Sequence, residues 1–267
     1  MRTLSEACMP DPVPEEFVAL ANRLADAAGA VVLRHFRMPF AVDAKPDATP
    51  VTIADREAER AMRLLLAMHA PGHGIVGEEE GRENDGAEYV WCLDPIDGTK
   101  AFIAGKPMFG TLVALARRGA PVLGIIDQPV SRERWLGVAG RTTTFNGATS
   151  ATRRCQRLGD ALLNATTPDM FAGADAPRFA RLAAQVRHAL YGGDCYAYGL
   201  LASGHLDLVV EAQLKPYDFC ALVPIVEGAG GRMVDWQGKP LGLGSHGRVV
   251  AAGDPALVGP AVQALGA

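Results

Sequence analysis

Apolar residues recur along this chain with two different periods, which predict a mixture of helices and strands. Residues 15–36 and 52–69 place apolar side chains every three or four positions, which is typical of amphipathic helices. The segment 38–50 between them is rich in proline, aspartate and alanine, so it is predicted to be a loop. Short apolar runs bounded by turn residues predict strands over 74–77, 89–93, 111–116, 122–127 and 134–138.

The Asn146-Gly147 dipeptide is a strong turn signal, and we place the start of a second half there. Helices and strands do not alternate regularly in either half, which argues against a barrel and for an α+β fold. The predicted helices of the second half are 176–188, 195–203, 217–228 and 255–265, and the predicted strands are 161–165, 206–211, 232–235 and 248–252.

The composition is typical of a globular protein and argues against a nucleic-acid-binding, membrane-spanning or disulfide-rich protein. The 267 residues are 49% hydrophobic and 21% charged, with a net charge of −4, as expected of a globular domain. No basic stripe or arginine-rich tract stands out, so we expect no nucleic-acid partner. No apolar run is long enough to cross a membrane, and the N-terminal segment lacks the apolar core of a secretory signal. The five cysteines are odd in number and scattered, which favours a reducing, cytoplasmic setting over disulfides or a zinc ribbon.

The segment WCLDPIDGT, residues 91–99, carries the strongest chemical signal. Pro95 and Gly98 are expected to end the strand 89–93 and force a compact turn. Asp94 and Asp97 would then project from the end of a rigid strand, close enough to share a cation. The alternative is a local turn in which both aspartates accept hydrogen bonds from their own backbone.

Three further carboxylates lie at predicted element ends: Asp55, Glu78 and Asp218. Each has a structural alternative, namely a capping box with Thr52, a solvated acidic loop, and a favourable charge in a first helical turn. Five carboxylates brought together would repel one another unless divalent cations neutralised them. Oxygen ligands select Mg²⁺ or Mn²⁺, and a pair of such ions suits hydrolysis of a phosphate ester.

Four segments, KPDATPVTIAD, GEEEG, DPIDGT and PYDFCALVPIVEGAGG, resemble the inositol monophosphatase-like family of magnesium-dependent phosphatases. The resemblance covers residues 13–262 in the family's order and spacing. It implies a single catalytic domain folded as a layered αβαβα sandwich, with a metal-site half over 13–146 and a substrate-specificity half over 147–262. It also implies a homodimer that acts on a small phosphate ester.

The same resemblance assigns roles to residues of this chain. Two or three magnesium ions would be held by Glu78, Asp94, the Ile96 carbonyl, Asp97 and Asp218. The attacking water would be oriented and deprotonated by Thr99, assisted by Asp55 and Glu78. The substrate would be bound by Asp97, Gly98, Thr99, Asp194 and Glu211. Lys45 is placed in a loop that could close over the metals, and its alternative is a plain solvated lysine.

Asp194 and Glu211 direct the choice of substrate. Family members commonly carry a small neutral run where this chain has Asp194, and a second acid outside the metal set suits a cationic leaving group. GGDCYAYGLLASGHLDLVVE and DPIDGTKAFIAGKPMFG resemble the histidinol-phosphate phosphatase branch. The alternative for Asp194 is a helix cap.

Two other functions stay open at this point. A broad inositol or sugar monophosphatase would use Glu211 to contact hydroxyl groups. A regulatory module acting through protein or RNA contacts would not need the catalytic set. A nucleotidase for 3′-phosphoadenosine is disfavoured, because Asp194 and Glu211 would repel the second phosphate.

Overall fold

The computed structural model describes residues 12–39, 42–44 and 50–266. The segments with a helical pattern of apolar residues, 15–36 and 52–69, form helices close to their predicted bounds. Pro14 precedes the first helix, which has acidic residues in its first turn and basic ones in its last, as the helix dipole favours. The α-helices are α1 Glu15–His35, α2 Ile53–His69, α3 Thr99–Ile103, α4 Asp175–Ala183, α5 Asp194–Ala202, α6 Pro216–Phe219, α7 Leu222–Gly228 and α8 Val258–Gly266.

The short apolar runs form the strands of two large sheets. Within the described residues, the strands up to the β9–β10 hairpin begin with β1 Val42–Ala44, β2 Pro50–Thr52, β3 Gly74–Gly77, β4 Arg82–Glu83, β5 Tyr89–Asp97, β6 Gly110–Arg117, β7 Ala120–Gln128, β8 Glu133–Val138 and β9 Thr144–Phe145. They are followed by β10 Ala148–Thr149, β11 Leu162–Ala165, β12 His188–Tyr191, β13 Leu208–Glu211, β14 Arg232–Asp235 and β15 Val249–Ala252.

The first sheet has the strand order β10-β9-β8-β7-β6-β5-β3-β4, and β3 and β5 are its parallel neighbours. The second sheet has the order β12-β11-β13-β15-β14, in which β11 runs parallel to β12 and β13. β1 and β2 form a separate antiparallel pair. Asn146 and Gly147 make the turn of the β9–β10 hairpin, so the first sheet continues to Thr149.

Helices and sheets alternate in five layers. α1 and α2 pack together and cover one face of the first sheet. α5 and α7 fill the space between the two sheets, in a core that includes Trp135, Tyr198 and Phe219. α4 and α8 pack together on the outer face of the second sheet. This order confirms the expected α+β layered αβαβα sandwich. In the part of the chain that is described, no helix has the length and apolar character needed to cross a bilayer.

Three predicted segments were wrong in detail. The segment 38–50 is not only a loop, because it contains β1 and the start of β2. The helix predicted over 176–188 ends at Ala183, and 188–191 forms the edge strand β12, since pairing with β11 overrides the local pattern. The helix predicted over 217–228 is broken into α6 and α7. This break separates Asp218, on α6, from the segment that packs against β7 and β8.

A pair of glycines lets α7 approach the first sheet closely. Gly124 and Gly137 are directly opposite each other on β7 and β8. A Cβ at Gly124 would lie 1.9 Å from the Ala221 carbonyl oxygen, and one at Gly137 would lie 2.4 Å from the Ile225 nitrogen. Only hydrogen fits at these positions, so the helix rests backbone to backbone on the strands.

We expect Gly137→Ala to lower the free energy of unfolding by about 1–3 kcal/mol or more, because the added methyl group must displace backbone atoms. Chemical denaturation of the purified variant measures this change. Gly72→Ala is the matched control, because its Cβ would meet no atom within 4 Å. Equal stabilities for the two variants would show that α7 does not need this close contact.

Candidate active site

Nine of the residues singled out from the sequence line one cavity of about 200 Å³. They come from the ends of β3, β5 and β13 and from the starts of α3, α5 and α6. The nine are Glu78, Asp94, Ile96, Asp97, Gly98, Thr99, Asp194, Glu211 and Asp218. The lining also includes Thr166, Met170, Cys195, Tyr198, Leu214 and Leu222, which the sequence analysis did not find. No spacing rule connects these six to the acidic motifs, because they reach the cavity through the tertiary fold.

The end of β5 differs from the expected turn. Pro95 does not end the strand, which continues to Asp97 with a register shift between Asp94 and Asp97. Proline is tolerated there because a bulge frees its position from donating to the ladder. The Thr111 hydroxyl donates to the Pro95 carbonyl at 2.8 Å and fixes the bulge. Both aspartates therefore lie at the carboxyl end of β5.

The two aspartates of this bulge make different hydrogen bonds. Asp94 Oδ1 accepts from the Ile96 N–H at 3.0 Å, which is the local turn considered as the alternative. Asp97 Oδ2 instead accepts from the Cys195 N–H at 2.5 Å, at the start of α5. The carboxylate of one half of the chain therefore satisfies a free N–H at a helix start in the other half.

Asp94, Asp97 and Asp218 place carboxylate oxygens within 4.8 Å of one another. Burial, followed by repulsion from Glu78, holds the pKa of Asp94 well above its usual range. Burial also raises the pKa of Asp218 to about 7, although the Lys215 N–H stabilises its ionised form. Burial and mutual repulsion thus both oppose ionisation of these carboxylates. A group of oxygen ligands in this state fits a hard divalent metal ion.

Thr99 begins α3, after Gly98 in the left-handed region at φ 91°. Its hydroxyl donates to the Ile96 carbonyl at 3.1 Å. A hydroxyl oxygen keeps lone pairs after donating, so Thr99 can still accept a hydrogen bond from a water in the cavity.

Asp55 does not line the cavity. Its Oδ2 accepts from the Thr52 N–H at 2.8 Å and from the Thr52 hydroxyl at 2.6 Å, and it is fully buried. The capping box considered from the sequence is therefore present at the start of α2. β2, which ends at Thr52, packs against α3, the helix that Thr99 begins.

Asp194 is the first residue of α5. The N-cap residue of this helix is Gly193, and no side chain of the described residues forms a capping hydrogen bond there. The capping alternative is therefore wrong for Asp194. Its backbone is left-handed, at φ 44°, and its carboxylate lies where a Cβ on Gly98 would be 3.0 Å from Oδ2. Burial and repulsion from Glu211 raise the pKa of Asp194 to about 7, against the attraction of Lys100.

Glu211 ends β13 and is almost completely buried. Its oxygens accept from the Thr166 N–H at 3.0 Å and from the Tyr198 hydroxyl at 2.9 Å. Burial raises the pKa of Glu211, while these two donors oppose that rise. The carboxylate is thus held rigidly at the wall of the cavity. Lys45 falls outside the described residues.

Four arginines gather at a different pocket, which also contains Cys155. They are Arg153, Arg154, Arg157 and Arg187. The sequence analysis did not single out this group, because Arg187 is far along the chain from the other three. Asp207 holds Arg153 through two hydrogen bonds of 2.7 and 2.6 Å, and Asp160 pairs with Arg157, so two of the four charges are neutralised.

Known proteins that are similar to this chain have names that describe phosphatases, which agrees with an acidic cavity suited to phosphate esters. The chain is 48% identical over 260 residues to "Bifunctional phosphatase IMPL2, chloroplastic" of Arabidopsis thaliana, which covers 94% of this chain and 75% of that protein. It is 34% identical over 236 residues to "Histidinol-phosphatase" of Chlorobaculum parvum, covering 87% and 90% of the two chains. A solved inositol monophosphatase from Zymomonas mobilis superposes with a TM-score of 0.87 at 52% identity, covering 94% of this chain and 98% of that one.

The names of these relatives differ in substrate, so they show the family and not the branch. The sequence profile of the inositol monophosphatase family matches residues 13–265. This match spans both sheets and every residue that lines the acidic cavity. The chain belongs to the inositol monophosphatase family and is a phosphatase of that family.

Proposed function

We propose that this chain is a Mg²⁺-dependent phosphomonoesterase that converts histidinol phosphate and water to histidinol and phosphate. The observation that carries the proposal is the arrangement of carboxylates in one cavity. Three of them converge within 4.8 Å, as a metal site requires. Asp194 lies on the α5 side of the same cavity, where an acid can meet the leaving group.

The metal ligands would be Glu78, Asp94, the Ile96 carbonyl, Asp97 and Asp218, which together offer oxygen atoms alone. Such a set suits Mg²⁺, in two or three ions, and Mn²⁺ can substitute. When bound, these ions lower the pKa of a water and neutralise charge on the phosphoryl group.

The chain's own groups would position the reactants. The Thr99 hydroxyl donates to the Ile96 carbonyl, so its oxygen faces the cavity as an acceptor for the proton of a water. Asp55 would assist by holding the start of α2 next to β2, which packs against α3. The backbone N–H groups of Gly98 and Thr99 would bind phosphate oxygens, which they reach as lining residues of the cavity.

Asp194 and Glu211 support a cationic leaving group. Burial and mutual repulsion raise the pKa of Asp194, so its ionised form gains stability when a cation approaches. Histidinol carries an ammonium group, which would donate a charge-assisted hydrogen bond to Asp194. A relative with the printed name "Histidinol-phosphatase" matches most of this chain, which supports the same substrate.

An inositol or sugar monophosphatase is the second candidate, supported by the solved relative from Zymomonas mobilis. Steady-state rates with Mg²⁺ on histidinol phosphate, inositol 1-phosphate and glycerol 2-phosphate distinguish the two. We expect the highest kcat/KM for histidinol phosphate. A higher value for the inositol ester would establish the second candidate. No turnover of any ester would favour a regulatory role through protein or RNA contacts. The homodimer, the cytoplasmic location and the lack of nucleic-acid and membrane partners stay predictions.

Mg²⁺ binding should compensate for the stability that the metal-free protein loses as pH rises. Because the pKa of Asp218 rises from 3.8 to about 7 on folding, the metal-free protein loses stability as pH increases across that range. At pH 8, which lies above the pKa of Asp218, Mg²⁺ at about 100 times its Kd should raise the Tm by about 5–10 °C over EDTA. At pH 5 the increase should be much smaller, as thermal unfolding at the two pH values will show. Asp218→Asn should lose most of the increase, whereas the exposed control Asp160→Asn should keep it.

Thr99→Ala should lower kcat for histidinol phosphate by about 100-fold or more, because the water loses the group that orients it. The Mg²⁺-induced rise in Tm should remain, since the carboxylates are unchanged. Thr99→Ser restores a hydroxyl at this position and should recover most of the rate. A kcat equal to that of the wild type in Thr99→Ala would remove this hydroxyl from the reaction.

Asp194→Asn should raise KM for histidinol phosphate by about tenfold or more, because it removes a charge-assisted hydrogen bond. Asparagine tolerates the left-handed backbone at this position, so the fold should be kept. KM for glycerol 2-phosphate, which has no ammonium group, should change much less. The same factor for both esters would instead mean that Asp194 acts on the phosphate site and not on the leaving group.

A further inference from the structure

The short loop 78–81 joins β3 to β4 and contains three successive glutamates, and we call it the acidic loop. Its first residue, Glu78, lines the acidic cavity together with Asp94. When both are ionised, these two carboxylates repel each other. The acidic loop therefore needs a contact elsewhere in the fold that keeps Glu78 at the cavity.

Glu59 of α2 provides this contact through the backbone of the acidic loop. Its carboxylate is fully buried, and it accepts hydrogen bonds from the Glu79 N–H at 2.7 Å and from the Glu80 N–H at 3.0 Å. The N–H of Glu78 itself donates to the Leu93 carbonyl of β5 at 3.1 Å. The peptide groups on both sides of the Glu78 side chain are thus fixed.

Arg63 lies one helical turn after Glu59 and joins it to the far end of the acidic loop. Its Nε donates to Glu59 Oε1 at 2.8 Å, and its Nη2 donates to the Gly81 carbonyl at 2.6 Å. A guanidinium makes both bonds at once because its donors are arranged in a rigid fork. A buried carboxylate is costly unless it is paired and hydrogen-bonded, and Glu59 meets both conditions.

The end of β3 leaves just enough room for this carboxylate. A Cβ at Gly77 would lie 2.1 Å from Glu59 Oε1, so the strand and the carboxylate are in direct contact. Asp55, Glu59 and Arg63 follow one another at four-residue spacing, which places them on one face of α2. The same helix face therefore carries the capping box of α2 and the contact with the acidic loop.

We propose that Glu59 is a positioning residue, which holds the acidic loop so that Glu78 can bind a divalent metal ion together with Asp94. This role rests on the proposed function and is assigned to a residue that does not line the cavity. Arg63 balances the charge of Glu59, so Glu59 can hold the loop without adding repulsion. Replacing a group that orients a metal ligand typically weakens metal binding by about 10-fold to 100-fold.

Glu59→Gln tests the proposal, because glutamine has the same size and replaces one acceptor oxygen with an NH₂ donor. Whichever way the amide is turned, at least one N–H of the acidic loop loses its acceptor. At pH 8 we expect the Kd for Mn²⁺, measured by electron paramagnetic resonance of the free ion, to increase by about 10-fold to 100-fold. At saturating metal, KM for histidinol phosphate should stay close to the wild-type value, because the groups proposed to contact the ester are unchanged.

Hydrogen exchange of the metal-free protein gives a second readout, which needs neither metal nor substrate. In Glu59→Gln the amides of Glu79 and Glu80 should exchange about tenfold faster or more, because they lose a hydrogen bond to a charged acceptor. The amides of the β6–β7 hairpin should exchange at the wild-type rate. This pattern distinguishes a local release of the acidic loop from a general loss of stability.

Glu57→Gln is the matched control, because it makes the same change on the same helix. The Glu57 side chain is 40% exposed and pairs with His35 at 3.0 Å. We expect this control to keep the wild-type Kd for Mn²⁺ and the wild-type exchange of the acidic loop.

Arg63→Lys is a second variant, which decides the question if Glu59→Gln does not fold. Lysine keeps the positive charge beside Glu59 but lacks the fork that also reaches the Gly81 carbonyl. We expect a smaller increase in the Kd for Mn²⁺, by about threefold to tenfold, the effect of one hydrogen bond.

Two results would overturn the role of Glu59. They are a wild-type Kd for Mn²⁺ in Glu59→Gln, and a lower Tm without faster exchange in the acidic loop, since Glu59 would then only stabilise the fold. Both leave the proposed function intact, because hydrolysis by the wild type is measured separately. If the wild type binds neither Mn²⁺ nor Mg²⁺, the proposed function fails, and the role of Glu59 fails with it.

Discussion

Mutual repulsion among carboxylates is the constraint on which the rest of this structure depends. Asp94, Asp97 and Asp218 hold oxygens within 4.8 Å of one another, and the residues that line their cavity include no lysine or arginine. The raised pKa values of all three show that burial and repulsion both oppose their ionisation. Such groups stay together only if a rigid frame holds them, because their repulsion would otherwise move them apart.

The frame consists of element ends that have little freedom to move. A bulge in β5 presents two of the aspartates, and the Asp97 bond to Cys195 joins that strand to α5. The third aspartate lies on α6, next to a helix that rests on Gly124 and Gly137. The packing of α7 against β7 and β8 therefore positions the segment that follows α6, and Leu222 of α7 itself lines the cavity. Glu211 is fixed in a similar way, because its hydrogen bonds with Thr166 and Tyr198 hold the carboxylate at the wall of the cavity.

In the proposed function, selectivity for the leaving group depends on the charge of Asp194, which lines the acidic cavity. Asp194 adopts a left-handed backbone, its carboxylate lies beside Gly98, and it makes no capping hydrogen bond at the start of α5. A cationic leaving group would form a charge-assisted hydrogen bond with this carboxylate, whereas a neutral one would not.

The α1 and α2 helices, most strands and the acidic residues of the cavity could be predicted from periodicity and short motifs, which are local properties of a chain. The layered order of helices and sheets was implied only by the resemblance to a known family. Tertiary structure decided what depends on distant partners. Pro95 stays within a strand because β6 supports the bulge, residues 188–191 form a strand because β11 pairs with them, and Asp97 meets Cys195 across 98 positions. The contact of Glu59 with the acidic loop could not be found in the sequence, because the N–H groups that its carboxylate meets are neighbours only in space.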